Sequence, residues 1–546
     1  MRLVNIKTLS LVNKQNILYN RIILLQSFKG CAVVLTFSSI MKQNADKFRD
    51  KTAIIFKNKN WSYHELNSRA NQLANAFLSK GYKKGDKVSV MMKNHSAYIE
   101  IITALSKIGV IIVPINYRLV GSEIEYIVTN SESRAFITTE EYSEEIQKIS
   151  PQLSTLDDVI AVGVSSSESI INYDSFLERG STQEPEIKIE ETDTLYLGYT
   201  SGTTGKPKGV VISHRSRMLT GMAAAYEYKI DESDIHIVPG PIYHAAPWIF
   251  LMMQLIAGGT LIIQESFDPE QFLAEVERHK ATNAFMAPTM FNFLVNLNQE
   301  TKDRYDISSM RVLISAGSAL PTQTKLDVLN FFPDVDLHEF YGSTESAITL
   351  NIKPKDIRRK DRCVGQPFPL VECMIVDEEK NPVKTGEIGE LYIKAPYLLD
   401  EYYKNPEANE ASFRDGYFTV GDMALQDEEG YYYIVDRKKD MLISGGVNIY
   451  PREIEEALYS HPDILDVAVI GVPDPVWGES VKAVVVPREE AVLTQEDVIT
   501  YCEGKIASYK KPKSVDFVKE LPRNPSGKIL KVELRSQYQD GNQVEI

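Results

Sequence analysis

The residues best suited to chemistry lie in the stretch YTSGTTGKPKG, residues 199–209. It combines three glycines, two lysines and several hydroxyl side chains within eleven residues. Glycines let backbone N–H groups converge on an anion without a Cβ atom in the way, and hydroxyl and ammonium groups add further donors. The combination predicts a phosphate-binding loop. Its assigned residues are Thr200, Ser201, Gly202, Thr203, Thr204, Gly205, Lys206 and Lys208.

This loop is not a Walker A motif, which needs the pattern GxxxxGK followed by Ser or Thr. Gly205 and Lys206 fit that pattern, but Thr200 stands where its first glycine is required. Pro207 then supplies neither a hydroxyl for Mg²⁺ nor a backbone N–H. The loop therefore predicts phosphate binding of another kind, and the apolar run that ends at Leu197 predicts the strand that presents it.

The pattern along the rest of the chain indicates which elements position this loop. KVSVMM (87–92) and VIIVPI (110–115) predict strands, and AYIEIITALSKIG (97–109) between them predicts a helix. Such alternation continues from about residue 35 to about residue 435. It is typical of βαβ units with largely parallel sheets.

The pattern changes twice nearer the C-terminus. From Gly386 onwards, GEIGELYIKA and DEEGYYYIVDRKKD predict antiparallel strands joined by glycine-bearing turns. After Asp440 a compact alternation of helices and strands begins, in which EDVITYCEGKI (496–506) predicts a helix, and it is long enough for a domain of its own. The predicted fold class is α/β: a large N-terminal domain of βαβ-type subdomains with a small antiparallel, barrel-like part, followed by a small α+β C-terminal domain.

The polar run DRKKD at residues 436–440 predicts either the linker between the two domains or a plain exposed turn. We expect an N-terminal extension at residues 1–34, the large domain at 35–437 and the small domain at 438–546. The first 45 residues hold no acidic residue, but they lack the long apolar run and cleavage site of a secretory signal. A transit-like or membrane-surface segment, a plain tail and a start codon placed too far upstream all stay open for the extension.

Composition and charge exclude several classes of function. The chain has 75 acidic and 60 basic residues and a net charge of −15, which argues against nucleic-acid binding. The four cysteines show neither metal-ligand spacing nor a disulfide pattern, so we expect a reduced, cytoplasmic compartment.

Residues 237–264 have the composition of a membrane-spanning segment, because they contain no Asp, Glu, Lys or Arg. Three prolines interrupt the start of this segment, and Gly258 and Gly259 divide the rest. We therefore predict a loop, a buried helix, a turn and a buried strand, and no transmembrane span. Peripheral contact with a membrane stays open.

The phosphate loop and four further stretches together resemble the signature of the adenylate-forming (AMP-binding) superfamily. The further stretches, in family order, are YGSTE (341–345), GYFTVGD (416–422), DRKKDMLISGGVNIYPREIE (436–455) and PRNPSGK (522–528). The resemblance covers about residues 35–536. That superfamily includes acyl-CoA synthetases, coumarate ligases, beetle luciferases and peptide-synthetase adenylation domains.

The resemblance implies two half-reactions. A carboxylate attacks the α-phosphate of ATP and expels pyrophosphate, and a thiol, usually that of coenzyme A, then displaces AMP from the acyl-adenylate. ATP, coenzyme A and a small carboxylic acid are the implied substrates, and Mg²⁺ is the implied cofactor. We expect a monomer or a homodimer.

The resemblance also implies roles for individual residues of the first half-reaction. Lys528 matches the lysine that contacts the reacting carboxylate and the α-phosphate, Thr344 the hydroxyl beside that phosphate, and Glu345 the Mg²⁺ ligand. Tyr341 is expected to stack on adenine, and Asp422 to accept from the ribose hydroxyls with Arg437 beside it. The remaining residues expected at the nucleotide are Gly317, Ser318, Ala319, Gly342 and Ser343.

For the second half-reaction, the resemblance implies a rotation of the C-terminal domain about a hinge at Lys439. Ser444, Gly445 and Gly446 would then line the path of the thiol. His244 matches a position that borders the acyl pocket. We do not assign His244 a role as general base, because a substrate carboxylate is already ionised at neutral pH.

The predicted function is an acid–thiol ligase of the acyl-CoA synthetase branch that acts on an apolar acid. Ala245, Ala246 and Ala347 would leave room for a medium- or long-chain fatty acid. An aromatic acid, as in coumarate ligases, is the alternative. Glu401, Val420 and Asp436 depart from the common family pattern, and none of them removes a charge that the chemistry needs.

Three other members of the superfamily are weighed as alternatives. A non-catalytic nucleotide-binding descendant would tend to lose Lys528 or Glu345, and both are present. A peptide-synthetase module is disfavoured because too few residues follow Ser536 for a carrier domain. The motifs do not separate a ligase from a luciferase-like oxygenase, which light emission under air would reveal.

Overall fold

The computed structural model describes residues 34–163, 169–200, 206–444, 447–489, 491–523 and 529–539. Its strands are β1 (Thr52–Phe56), β2 (Lys59–Ser62), β3 (Lys87–Met91), β4 (Ile111–Pro114), β5 (Ser133–Thr139), β6 (Asp158–Val162), β7 (Ile171–Asn172), β8 (Thr194–Thr200), β9 (Lys208–Ser213), β10 (Ile235–Val238), β11 (Thr260–Ile263), β12 (Asn283–Met286), β13 (Val312–Ser315), β14 (Asp336–Ser343), β15 (Ala347–Ile352), β16 (Gln366–Pro367), β17 (Glu372–Val376), β18 (Gly389–Lys394), β19 (Glu401–Tyr402), β20 (Phe413–Arg414), β21 (Tyr417–Phe418), β22 (Asp422–Gln426), β23 (Tyr432–Arg437), β24 (Leu442–Ser444), β25 (Val447–Ile449), β26 (Ile464–Asp474), β27 (Gly478–Pro487) and β28 (Ser514–Phe517). Its α-helices are α1 (Phe37–Lys47), α2 (Tyr63–Ser79), α3 (Ser96–Ile108), α4 (Gly121–Ser131), α5 (Glu140–Ile149), α6 (Tyr173–Leu177), α7 (His214–Tyr228), α8 (Ala245–Ala257), α9 (Pro269–His279), α10 (Pro288–Val295), α11 (Gln299–Asp303), α12 (Thr322–Phe331), α13 (Pro354–Ile357), α14 (Pro406–Ser412), α15 (Pro451–Tyr459), α16 (Gln495–Tyr501) and α17 (Lys531–Gln539).

Two large sheets form the N-terminal part of the molecule. One has the strand order β16-β15-β14-β13-β12-β10-β11-β1-β2, and the other has the order β19-β9-β8-β4-β3-β5-β6-β7. Strands β10 to β14 pair in parallel, as do β3, β4, β5 and β6. The predicted α/β class with largely parallel sheets is confirmed. Each of the two sheets also contains an antiparallel hairpin, formed by β14 and β15 in the first and by β8 and β9 in the second.

The predicted strand–helix–strand unit at residues 87–115 is present as β3, α3 and β4. Helix α3 begins after His95, whose Nδ1 accepts a hydrogen bond of 3.0 Å from the backbone N–H of Ala97. It ends at Gly109, which has a φ of +67° and where a Cβ atom would lie 2.9 Å from the side chain of Lys84. A glycine is therefore needed where the chain leaves this helix for β4.

The apolar segment at residues 237–264 folds as predicted. The end of β10 leads into a loop, then into the largely buried helix α8, a turn at Gly258 with a φ of +84°, and the fully buried β11. β10 and β11 pair in parallel in the first sheet. Within the described ranges, no helix is long and apolar enough to cross a membrane.

Two smaller sheets follow toward the C-terminus. Strands β17, β18 and β20 to β23 form an antiparallel sheet, as the glycine-bearing turns predict. Strands β24 to β28 form the last sheet, against which α15 and α17 pack. The small α+β C-terminal unit is thus confirmed.

One local prediction needs correction. The helix expected from the pattern EDVITYCEGKI stops at Tyr501, and turns follow it through Gly504, whose φ is +72°. Within the run at 436–440, Asp436 and Arg437 end β23 and a turn covers residues 438–440, and the role of this run as a domain linker stays a prediction. The Asp436 carboxylate is buried and accepts hydrogen bonds from two backbone N–H groups, those of Arg437 and Arg452.

Candidate active site

The predicted phosphate loop joins two antiparallel strands. Thr200 at the end of β8 pairs with Lys208 at the start of β9, so the loop is the tip of a β-hairpin. Of its predicted residues, Ser201, Gly202, Thr203, Thr204 and Gly205 lie outside the described residues. The hydroxyl of Tyr126 donates a 3.1 Å hydrogen bond to the carbonyl of Pro207, and the ammonium of Lys206 lies 5.3 Å from the centre of the Tyr126 ring. Helix α4, which carries Tyr126, therefore holds the outgoing side of the loop.

The YGSTE motif forms a second hairpin turn, at the carboxyl end of β14. Ser343 pairs with Ala347, and Thr344 and Glu345 lie in the turn between them. Gly342 is required there, since a Cβ atom at this position would lie 1.8 Å from the carbonyl oxygen of Ala347. β14 pairs in parallel with β13, so Gly317, Ser318 and Ala319, which follow β13, emerge at the same edge of the sheet.

The two hairpins are connected through Tyr402. Its hydroxyl donates a 3.0 Å hydrogen bond to Oε1 of Glu345 in the second hairpin. The ammonium of Lys208, in the first hairpin, lies 5.0 Å from the centre of the Tyr402 ring. Glu345 and Tyr402 are both buried. One tyrosine therefore contacts the predicted metal ligand and a predicted phosphate-binding lysine together.

A second cluster joins three residues predicted to contact the nucleoside. The hydroxyl of Tyr341 donates to Oδ2 of Asp422 at 2.5 Å, and Nε of Arg437 lies 3.4 Å from Oδ1 of the same carboxylate. Burial, and then the charge of Asp422, raise the pKa of Tyr341 well above its ordinary value, so its hydroxyl stays a donor. Oδ1 of Asp422 is buried and accepts no hydrogen bond among the described residues. An acceptor of this kind fits a hydroxyl-bearing ligand such as a ribose.

Whether Glu345 could bind a magnesium ion depends on whether one of its carboxylate oxygens lacks another partner. Oε1 accepts a hydrogen bond from Tyr402, the one side-chain contact of the Glu345 carboxylate among the described residues, and Oε2 has no such partner there. A carboxylate with one free oxygen is a suitable Mg²⁺ ligand, and Mg²⁺ usually takes its other ligands from substrate phosphates and water. No cluster of three or more His, Cys, Asp or Glu side chains competes for the ion in the part of the chain described. The residues present thus fit a metal held mainly by a nucleotide.

His244 lies at the start of helix α8, and its ring packs 4.3 Å from that of Tyr243. Burial, with the nearby Arg118 as a smaller cause, lowers the pKa of His244 to about 4. The imidazole is therefore neutral at pH 7. Ala246, in the first turn of α8, packs in the same apolar cluster as Ala347 of the second hairpin. Ala245 packs against a different apolar cluster, so the shared cluster connects Ala246, and not Ala245, with the end of the turn that carries Glu345.

The residues predicted for the second half-reaction lie elsewhere. Ser444 ends β24, where it pairs with Val447 and Gly478, and Gly445 and Gly446 lie outside the described residues. Lys439 lies in the turn that follows β23. No hydrogen bond or ion pair between described residues connects Ser444 with Glu345 or Asp422.

Lys528 also falls outside the described residues. Arg523 and Ile529, on either side of residues 524–528, form an antiparallel bridge, and the N–H of Leu530 donates to the carbonyl of Pro522 at 2.8 Å. The segment that contains Lys528 therefore begins and ends at neighbouring backbone positions.

Sequence reasoning missed Tyr402 and Tyr126 as members of this site. Both contact the phosphate hairpin only because the fold brings distant segments together, and Tyr402 lies 57 positions from Glu345. The signal available was the pair of tyrosines in EYYKN next to the departure at Glu401, and it does not reveal the partners.

Comparison with known proteins agrees with this arrangement. The family description "AMP-binding enzyme" matches residues 41–403, and "AMP-binding enzyme C-terminal domain" matches residues 453–528. A feruloyl-CoA synthase of Amycolatopsis sp is 34% identical over 481 residues, covering 87% of this chain and 94% of that protein. The long-chain-fatty-acid–CoA ligase FadD13 of Mycobacterium tuberculosis is 33% identical over 482 residues, covering 87% of this chain and 93% of that protein.

Solved structures show the same fold. The crystal structure of the anthranilate CoA ligase AuaEII in complex with anthranoyl-AMP matches with a TM-score of 0.85 and 26% identity, covering 94% of this chain and 98% of that one. With both family descriptions and relatives above 30% identity matched over most of the chain, the predicted resemblance is confirmed. The chain belongs to the AMP-binding, adenylate-forming enzyme family and is an AMP-forming acid–CoA ligase of its acyl-CoA synthetase branch.

Proposed function

We propose that this ligase acts on a medium- or long-chain fatty acid, with ATP and coenzyme A as its other substrates. The observation that carries this choice is the set of small side chains at the positions predicted for the acyl pocket: Ala245 and Ala246 at the start of α8, and Ala347 at the end of the turn. Together with a neutral His244, these residues offer an acyl chain an apolar surface without a charge. The 33% identity to FadD13, a long-chain-fatty-acid–CoA ligase, supports the same choice.

In the first half-reaction, a carboxylate oxygen of the acid attacks the α-phosphorus of ATP, and the bond to pyrophosphate breaks. Lys208 and the loop at 201–205 would hold the departing phosphates, and Thr344 would donate to the α-phosphate. Glu345 would hold Mg²⁺ through Oε2. When bound, that ion neutralises charge that develops on the phosphates. Lys528 would supply the positive charge at the reacting oxygens.

The nucleoside would be held by the second cluster. Asp422 would accept from the ribose hydroxyls through Oδ1, which makes no hydrogen bond in the described part of the chain. Arg437, 3.4 Å away, would then turn from the carboxylate toward the ribose or a phosphate. Adenine would lie between Tyr341 and the backbone of residues 317–319.

In the second half-reaction, the sulfur of coenzyme A attacks the acyl carbon, loses its proton, and displaces AMP as the acyl–oxygen bond breaks. We propose that residues 438–546 rotate about Lys439 relative to residues 35–437 between the two steps. Ser444, Gly445 and Gly446 would then line the path of the pantetheine arm, because glycines let it pass close to the backbone.

An aromatic acid is the second candidate substrate, and specific relatives favour it. A feruloyl-CoA synthase is 34% identical to this chain, and AuaEII, an anthranilate CoA ligase, shares its fold. The rings of Tyr117, Tyr243 and His244 lie beside one another, and they could pack against a planar substrate.

A panel of acids separates the two candidates. Pyrophosphate and AMP release are measured with ATP, Mg²⁺ and coenzyme A for saturated acids of increasing length and for ferulate, coumarate and anthranilate. The proposal expects kcat/KM to be highest for a saturated acid of medium or long chain. A higher kcat/KM for an aromatic acid would replace it with the second candidate.

We also propose a cytoplasmic location, with the enzyme a monomer or homodimer. The described cysteines Cys363, Cys373 and Cys502 are unpaired thiols, as is typical of a reducing compartment. Cell fractionation tests the location, and light scattering on the purified enzyme tests the oligomeric state.

A further inference from the structure

Residues 399–403 form a strap that ties the phosphate hairpin to the turn of Glu345. The N–H of Leu399 donates to the backbone carbonyl of Glu345 at 2.7 Å. Farther along, the N–H groups of Asp400 and Tyr403 donate to carbonyls of β9, at Val211 and Gly209, at 2.9 and 2.8 Å. The strap therefore sets the distance between the two hairpins through its own backbone.

Within the strap, the backbone of Tyr402 is fixed on two sides. Tyr402 pairs with Val210 of β9 in the antiparallel register. On the other side, its N–H donates to Oδ1 of Asn409 at 2.7 Å, and its carbonyl accepts from Nδ2 of the same asparagine at 3.1 Å. With only 4% of the residue exposed, its ring has little freedom to move.

The Tyr402 hydroxyl can act only as a donor to Glu345. A tyrosine phenol has an ordinary pKa of about 10 and therefore carries its proton at neutral pH. An ionised carboxylate only accepts hydrogen bonds. The 3.0 Å contact therefore holds Oε1 of Glu345 in position. It also restricts the direction in which Oε2 of the same carboxylate points.

We propose that Tyr402 is a positioning residue for the first half-reaction. Its hydroxyl orients the Glu345 carboxylate so that Oε2 faces the metal–nucleotide complex, and its ring places the ammonium of Lys208 beside the same phosphates. The two functions reside in different parts of one side chain and can be removed separately. The inference rests on the proposed role of Glu345 as a metal ligand.

The direct test is metal binding rather than turnover. Mn²⁺ is titrated, with detection by electron paramagnetic resonance, into the enzyme with a non-hydrolysable ATP analogue. We expect Tyr402→Phe to weaken Mn²⁺ binding about 10-fold, since groups that orient a metal ligand typically contribute that much. The Mg²⁺ concentration for half-maximal adenylation should rise in parallel, while coupling of supplied acyl-adenylate to coenzyme A stays unchanged.

Two further variants make the result specific. Tyr403→Phe is the matched control, because Tyr403 lies in the same strap but its hydroxyl donates to Glu132 at 3.1 Å, away from the proposed metal site. We expect it to bind Mn²⁺ like the wild type. Tyr402→Leu removes the ring as well, so it should also weaken binding of metal-free ATP, which Tyr402→Phe should leave intact.

Several results would overturn the proposal. One is wild-type Mn²⁺ affinity in folded Tyr402→Phe. Another is an equal loss in Tyr403→Phe, and a third is an equal loss of adenylation and coupling in Tyr402→Phe, which would indicate a general structural role. Failure of the proposed substrate assignment is distinguishable, because the Mn²⁺ titration needs no acid and would still separate the two tyrosine variants.

Discussion

The nucleotide side and the thiol side of this enzyme are built in different ways. On the nucleotide side, Glu345 and Asp422 are both buried, and each carboxylate accepts a hydrogen bond from a tyrosine hydroxyl. On the thiol side, Ser444 lies in a short hairpin whose neighbours Ile443 and Val447 are 50% and 45% exposed. The difference supports the proposal that the groups for adenylation are held in place before substrates arrive and that those for coupling come into place through a rotation.

In the described part of the chain, polar contacts connect residues 35–437 with residues 438–546. The backbone N–H of Arg452 donates to Asp436 at 2.8 Å, and Arg362 forms an ion pair of 2.8 Å with Glu456. Exposed ion pairs contribute on the order of 0–1 kcal/mol each. Breaking the Arg362–Glu456 pair therefore costs little, whereas the bond from Arg452 ends on the buried Asp436 carboxylate and costs more.

The largest expected effect comes from Lys528, which we assign to the nucleotide side although it lies in the C-terminal part. Lys528→Ala should slow adenylate formation about 10³-fold, because a charge that meets the transition state is lost. Coupling of a supplied acyl-adenylate to coenzyme A should proceed at the wild-type rate. Pyrophosphate exchange and acyl-CoA formation measure the two steps, and an equal loss in both would contradict the division between the two sides.

Asp422→Asn should remove the negative charge from the cluster that is proposed to bind the nucleoside, while the size and shape of the side chain stay the same. The amide cannot accept charge-assisted hydrogen bonds through both of its atoms, so the KM for ATP should rise about 10- to 100-fold. Tyr341→Phe removes only the donor to Asp422 and should have the smaller effect. Initial-rate kinetics with varied ATP decide this, and an unchanged KM in Asp422→Asn would remove Asp422 from the nucleotide side.

Lys439→Pro tests the proposed rotation of the C-terminal part about residue 439. Hydrogen bonds in this turn are donated by the N–H groups of Lys438, Asp440 and Met441, so a proline at 439 takes away no donor used there. Because proline fixes φ, we expect coupling to slow about 10-fold while adenylation changes less than two-fold. Single-turnover rates of both steps give the ratio, and a ratio equal to that of the wild type would speak against a hinge at this residue.

The smallest expected effect concerns acid stability of the N-terminal part. Burial lowers the pKa of His236 and of His244 to about 4, from an ordinary value of 6.5. Between these values the unfolded chain binds protons that the folded chain does not, so the free energy of unfolding falls as the pH drops from about 6.5 towards 4.

Thermal melts between pH 7 and 5 test this expectation. Tm should decline with acidification, and His236→Gln should recover about 2–4 °C of that decline at pH 5. Identical pH dependence of Tm in wild type and His236→Gln would refute the role of this buried ring.

Much of the fold follows from local patterns, while the site depends on contacts that they do not encode. The unit at residues 87–115 is predictable because apolar runs alternate with a helical period and a glycine marks the end of α3. The pattern around Tyr501 misleads, because an apolar period continues past the point where turns begin. Tyr402 escapes prediction because its role arises from a strap that pairs with β9, far away in sequence.

The central claim is that acyl-adenylate forms on the nucleotide side before the thiol reacts. The direct measurement is a rapid-quench single turnover of the wild type with ATP, Mg²⁺ and the preferred acid, first without coenzyme A. The account predicts acyl-adenylate approaching one per active site, then conversion to equal amounts of AMP and acyl-CoA when coenzyme A is added. Formation of acyl-CoA without any preceding adenylate, or release of ADP in place of AMP, would contradict it.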